Sequence, residues 1–201
     1  MNKKIKIFDL GSNTFRQTRN LIERFLTEGE VIEVHTFEAQ KELSLENLDK
    51  LKKDYPFINF SHNNVAVWNE DTNLLFYECK EWGSNYKGGS SLVKHDGSQA
   101  NDIYEYNEGV TVPAIDFAKY LSLHTDQSTY NFIKMDIEGA EYTVLPHIIN
   151  SNCIINLNEL ACEYHFGMYR KDKQLHQKLQ VIHEDIQRFL KNSNIKTTDW
   201  F

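Results

Sequence analysis

Residues 8–29 read FDLGSNTFRQTRNLIERFLTEG: an apolar run ending in an acid, a turn with one glycine, then a longer segment. The turn alone suits either phosphates or an adenosyl group. The segment after the turn decides the fold. A phosphate-loop hairpin requires the residues after Arg16 to alternate as a strand. Instead Leu21, Ile22, Phe25 and Leu26 recur at steps of one, three and one, which is a helical face. Asn13 is placed to cap that helix and Gly29 to stop it. Lys3–Leu10 before the turn suits a buried strand, so the chain opens with strand, glycine turn and helix.

The pattern repeats outward. VIEVHTF (31–37) is a second strand ending at Glu38, and Leu43, Leu45, Leu48 and Leu51 form a second helix that stops before Pro56. Strand, helix, strand, helix is the mark of parallel α/β winding. The middle breaks the rhythm: residues 63–82 read as two short strands around Asn69-Glu70-Asp71, an inserted β-hairpin, and 83–98 as a Gly/Ser-rich loop. Winding resumes with a strand and short helix over 110–124, a buried strand over 130–137 and a helix over 140–149. A strand over 156–166, an amphipathic helix through Leu175, Leu179, Ile182, Ile186 and Phe189, and a last strand over 195–201 complete it. The expected fold is a doubly wound, mostly parallel sheet in a single domain over 1–201. The apolar face of the long helix suits packing on the sheet better than packing on a second chain.

Composition narrows the function. A net charge of −7 argues against broad nucleic-acid or anionic-membrane binding. No run reaches the ~18 apolar residues of a membrane span, and MNKKIKIFDLGS is too short for a signal-peptide core. Cys79, Cys153 and Cys162 are odd in number and lack paired spacing, which suits unpaired thiols in a reducing compartment. A cytoplasmic protein is the expectation.

In a doubly wound sheet, ligands bind at the carboxyl ends of the strands. The polar residues gather there: Asp9-Leu10-Gly11-Ser12-Asn13, Glu38-Ala39, Asp136-Ile137-Glu138-Gly139 and Glu163-Tyr164-His165. Gly11 serves a ligand or only a tight turn. Glu38, 27 positions after Gly11, suits a ribose diol or a plain helix-start acid. Asp136 follows a largely apolar strand, where a carboxylate is costly unless paired or solvated. Glu138 and Glu141 open a helix whose dipole favours their charge in any case, which makes them the more replaceable acids. His165 is a candidate base, a metal ligand or an ordinary strand-end histidine, and it shares a face with Glu163.

The combination FDLGSNT, VHTFEA, GGSSL, VPAID, FIKMDIEGAEYTVL and EYH resembles the FkbM family of S-adenosylmethionine-dependent methyltransferases. It spans Ile5 to His165 in the right order, about four-fifths of the chain. The most specific piece is KMDIEGAE, similar to the family's Lys-Ile-Asp-(Val/Ile)-Glu-Gly-Ala-Glu. The resemblance implies a Rossmann-like class I methyltransferase fold. It also implies that Asp9, Gly11, Ser12 and Asn13 form the loop under the donor's methionine part. Glu38 would take the ribose hydroxyls, with Ala39 and the segment Asn64 to Ala66 near the adenine. Asp136, Glu138 and Glu141 would line the donor and acceptor side, and Glu163 and His165 would face the acceptor. Family members methylate hydroxyl groups, often on sugars or glycosylated natural products, so a small-molecule or glycan acceptor is implied.

One position departs from the pattern. The family's loop has a second glycine where this chain has Phe15, so the loop is displaced, the donor is weakly held, or the ring turns into the core. A methyltransferase-fold binding module without transfer activity is the alternative function. The same loop also resembles the first phosphate loop of exopolyphosphatases. Those enzymes need a strand after the loop and a longer, two-lobed chain.

For methyl transfer to a hydroxyl, His165 suits a general base, because its ordinary pKa lies near the operating pH. Asp136 and Glu163 complete the expected catalytic set. Asp136, Glu138, Glu163 and His165 also offer ligands suited to a divalent ion. A metal-free site is favoured because no motif such as HxxxH occurs. Trp82, Tyr86 and Gly88-Gly89-Ser90-Ser91 either shape the acceptor side or pack within the hairpin.

Overall fold

The computed structural model describes residues 3–40, 45–80, 89–94, 105–106, 108–169 and 171–199. In chain order the elements are β1 (Lys4–Leu10), α1 (Arg16–Leu26), β2 (Glu30–Phe37), α2 (Leu45–Asp54), β3 (Asn59–Asn63), β4 (Ala66–Trp68), β5 (Thr72–Phe76) and β6 (Cys79–Lys80). Then come β7 (Glu105–Tyr106), β8 (Val110–Asp116), α3 (Phe117–His124), β9 (Tyr130–Met135), α4 (Glu141–Asn150), β10 (Leu157–Cys162), α5 (Lys173–Asn192) and β11 (Lys196–Asp199).

Six strands form the main sheet in the order β11-β10-β9-β1-β2-β3, every pair parallel. This is the doubly wound order, with its switch point between β1 and β9. Alternation along β1 explains the two-faced core. Ile5 and Ile7 join Leu21, Ile22 and Phe25 of α1 and Leu48 and Leu51 of α2 on one face. Phe8 and Leu10 join Leu121 of α3, Val144 and Ile148 of α4, and Leu179, Ile186 and Leu190 of α5 on the other. The apolar face of α5 is therefore buried in the core. Among the described residues no helix is long and apolar enough to cross a membrane. None of the three cysteines is joined in a disulfide.

The expected hairpin over 63–82 is corrected. Strands β4 and β5 do not pair with each other; they flank β8 in a three-stranded sheet, β4 parallel and β5 antiparallel to it. The strand over 110–116 thus belongs to this small sheet rather than to the main winding, because non-local pairing leaves no trace in local periodicity. The first strand-helix turn also differs from expectation. Asn13 does not cap α1; the residue before the helix is Phe15, at φ 60, with no side-chain cap. Gly11, Asn13 and Phe15 all have positive φ, so the turn coils tightly and Ser12 O accepts the Phe15 amide at 2.8 Å.

Candidate functional site

The carboxyl ends of β1, β2 and β9 open on a pocket of about 620 Å³, lined among others by Gly11, Glu38, Val67, Phe76, Asp136 and Glu138. It lies at the switch point of the sheet, where this fold class binds ligands. The glycine turn forms its floor. The amides of Gly11 and Ser12 both donate to Phe37 O, at 3.0 and 3.1 Å, which pins the turn to the end of β2. A Cβ on Gly11 would sit 1.9 Å from Asp136 O, and its φ is +74. Only glycine permits that approach.

Of the four loop residues expected under the ligand, Gly11 and Asn13 line the pocket. Asp9 is fully buried beneath it, accepting a 2.5 Å bond from Thr18 Oγ1, and Ser12 is buried with its Oγ 3.4 Å from Phe37 O. Both brace the loop from behind. The Phe15 ring is buried in the core with α1 and α2, edge-on to His62. Core burial offsets the cost of its left-handed backbone, and the ring does not obstruct the pocket between Gly11, Glu38 and Asp136.

Glu38 sits where expected, in the wall at the end of β2. Its Oε2 accepts the Asn13 amide and its Oε1 the Gln40 amide, each at 2.8 Å. Burial raises its pKa, against the opposing pull of those two amides. Each oxygen keeps a further lone pair for a ligand hydroxyl. Beside it, Ala39, Ala66, Val67, Phe76 and Leu92 make an apolar shelf. The Asn64 side chain does not line this shelf; its Nδ2 donates to Glu38 O at 2.7 Å and so fixes the acid from outside.

The opposite wall is acidic. Asp136 follows β9, and Glu138 takes φ 52 before Gly139 at φ +102. A Cβ on Gly139 would fall 2.1 Å from the Tyr169 hydroxyl. That left-handed pair lets the chain turn sharply into α4. The described part of the Gly/Ser-rich segment closes over this wall: Gly89 and Ser90 line the pocket, and Ser91 Oγ donates to Glu138 O at 2.5 Å. Trp82, Tyr86 and Gly88 lie outside the described residues.

His165 stands behind the acids. Its Nδ1 is 2.9 Å from Glu141 Oε1, and its Nε2 lies 3.6 Å from Glu138 Oε2, 3.6 Å from Glu163 Oε1 and 4.0 Å from Asp136 Oδ1. Asp136, Glu138 and His165 each place one ligand atom within 4.8 Å of the others, so three of the four expected cation donors converge and Glu163 is not among them. Burial alone would lower the His165 pKa, but its bonds to Glu141 and Glu163 and the charge around it raise it to about 11. A raised pKa favours the imidazolium form, which does not itself accept a proton. Burial pushes Glu138 up to about 7, with Asp136, Glu141 and Glu163 adding to the rise and His165 opposing it. Glu138 is the wall's acid that changes charge near neutrality.

Glu141, expected to be replaceable, is fully buried and accepts the Ile137 and Gly139 amides at 3.0 and 2.9 Å. Lys134 was not expected at all. Its Nζ lies 3.3 Å from Asp9 Oδ1, 3.4 Å from Asp136 Oδ2 and 2.7 Å from Gly11 O. A signal existed: a charged residue inside the apolar run YNFIKM is costly unless it is paired.

The model of the methyltransferase FkbM domain matches residues 11–194. No curated protein matches the sequence. Among solved structures, the methyltransferase FkbM from Methylobacillus flagellatus KT is similar at 17% identity and a TM-score of 0.49, over 89% of this chain and 36% of that one. This chain thus spans little more than a third of that protein's length.

Proposed function

The chain belongs to the FkbM methyltransferase family, and we propose that it moves a methyl group from S-adenosylmethionine to a hydroxyl of a sugar, glycan or glycosylated natural product. The observation that carries this is the pairing, in one pocket, of a doubly amide-bonded Glu38 with an acidic wall at Asp136 and Glu138. The residues fit the donor. The Gly11 cradle, which a Cβ would fill, suits its methionine part, Glu38 its ribose diol, and the shelf at Ala39 and Ala66 its adenine. When bound, the donor supplies a methyl group on a cationic sulfur.

The chain's own residues supply position and charge. Gly11 and Asn13 would hold the donor's methionine part, and Glu38 would fix its rotation through the ribose hydroxyls. Alignment of this kind accounts for much of the rate of a displacement reaction. Asp136, in the pocket wall, would face the donor's positive charge. A hydroxyl nucleophile must lose its proton, and Glu138, raised to about 7, takes it as a general base. His165, held as a cation by Glu141 and Glu163, offsets the mutual repulsion of the acids.

Calorimetry with S-adenosylhomocysteine, followed by transfer of radiolabelled methyl to a panel of sugars and glycosides, tests the proposal. We expect binding to one site and labelling of hydroxyl oxygen. Glu38→Ala is expected to weaken ligand binding by about tenfold or more, the cost of losing a charged hydrogen-bond partner. Absence of binding to the intact protein at millimolar ligand overturns the donor assignment.

A further inference from the structure

We infer that Lys134 is a positioning residue that holds Asp136 as a charged carboxylate against the donor's sulfur, and that it thereby sets the pocket's preference between the cationic donor and the neutral product. This rests on the donor reading above.

The placement follows from the strand. Lys134 and Asp136 are two residues apart at the end of β9, so their side chains share a face. The Lys134 side chain is 2% exposed. Its Nζ reaches Gly11 O at 2.7 Å, Leu10 O at 3.4 Å, Asp9 Oδ1 at 3.3 Å and Asp136 Oδ2 at 3.4 Å. One ammonium thus ties two carbonyls of the donor turn to the acid that faces the donor.

Lys134 stands between two carboxylates, Asp9 and Asp136, and His165 Nε2 lies 4.0 Å from Asp136 on its other side. Asp9 is wholly buried and turned to Thr18, whereas the Asp136 side chain is 27% exposed and lines the pocket. Of the two carboxylates, Asp136 therefore faces the ligand. A sulfonium is attracted to it; the thioether of S-adenosylhomocysteine, otherwise alike in shape, is not. Glu141 and Glu163 crowd Asp136 with like charge, and Lys134 and then His165 oppose them and the effect of burial. Without Nζ, the carboxylate loses its ion-pair partner and the tie to the donor turn that orients it.

The test compares affinities for S-adenosylmethionine and S-adenosylhomocysteine by calorimetry in wild type, Lys134→Met, Asp136→Asn and the double variant. Lys134→Met is expected to shift the ratio by about tenfold toward the neutral ligand. In the Asp136→Asn background it should shift the ratio no further, because the two residues act as one unit. Equal weakening of both ligands makes Lys134 a loop brace only and overturns the inference. Should Lys134→Met not fold, Lys134→Arg decides: it keeps the charge and must keep the wild-type ratio, and a changed ratio overturns the inference. If the wild-type protein binds neither ligand, the donor reading falls and the inference falls with it. If it binds both and the variants leave the ratio unmoved, the inference alone fails.

Discussion

Glu141 and His165 meet at 2.9 Å beneath the acidic wall, with the Glu141 carboxylate fully buried and His165 nearly so. The same carboxylate accepts the amides of Ile137 and Gly139. One side chain therefore shapes the turn that presents Glu138 and also orients the imidazole behind it.

Glu141→Ala should be among the most destabilising single changes in the chain. It strands two buried amides and an imidazolium, and the loss of one partner in such a buried group costs about 3 kcal/mol or more. Urea unfolding measures it. A loss below about 1 kcal/mol, the worth of an ordinary hydrogen bond, would show that the turn holds without its carboxylate.

Phe15→Gly separates the core from the pocket. Emptying the ring's buried space costs about 3–5 kcal/mol, and release of the left-handed backbone recovers about 1 kcal/mol of that. Stability should fall while S-adenosylhomocysteine affinity stays near the wild-type value. A large gain in affinity on installing glycine would mean that the ring does obstruct the pocket.

Methyl transfer should rise as pH passes upward through about 7, where Glu138 loses its proton and becomes able to accept one. His165 stays cationic across that range, since its pKa stands at about 11. With an acceptor found in the glycoside panel, Glu138→Gln should flatten the profile and lower the rate by about 100-fold, a usual share for a general base. A profile unchanged in Glu138→Gln would assign the proton to another group.

Acid stability should depend on Glu159. Burial alone would raise its pKa, but bonds from Thr198, Arg24, Tyr130 and Lys196 bring it down from 4.5 to about 2. A depressed folded pKa stabilises above the unfolded value and loses that contribution as pH falls from about 4.5 toward 2. The contribution at neutral pH is on the order of 3 kcal/mol. The stability gap between wild type and Glu159→Gln should therefore be wide at pH 7 and shrink toward pH 2 in urea titrations.

Much of this was legible in the chain. The helical period after Arg16 gave the winding, and the acids at the strand ends pointed to Glu38, Asp136 and Glu138, because apolar period and the residue that ends a strand are local properties. The pairing of β8 with β4 and β5 was not legible, since it joins segments some forty residues apart. Strand β3 escaped notice because all but one of its residues are only half buried, without clear alternation. His165 reads as a base from its type alone; the four acids around it, which raise its pKa, are brought there by the fold. Glu141 looked like a surface acid at a helix start, and its burial under the turn is a tertiary fact.

Asp116 ends β8 and begins α3. It caps that helix at the Lys119 amide, bonds His147 Nε2 at 2.9 Å from α4, and donates its own amide to Asp71 Oδ1 at 3.0 Å. The small sheet is riveted to the body at this one post, and its Val67 already belongs to the main core. Among the described residues the shelf beside Glu38 is therefore masonry tied into the body of the fold, and its width is set when the chain folds.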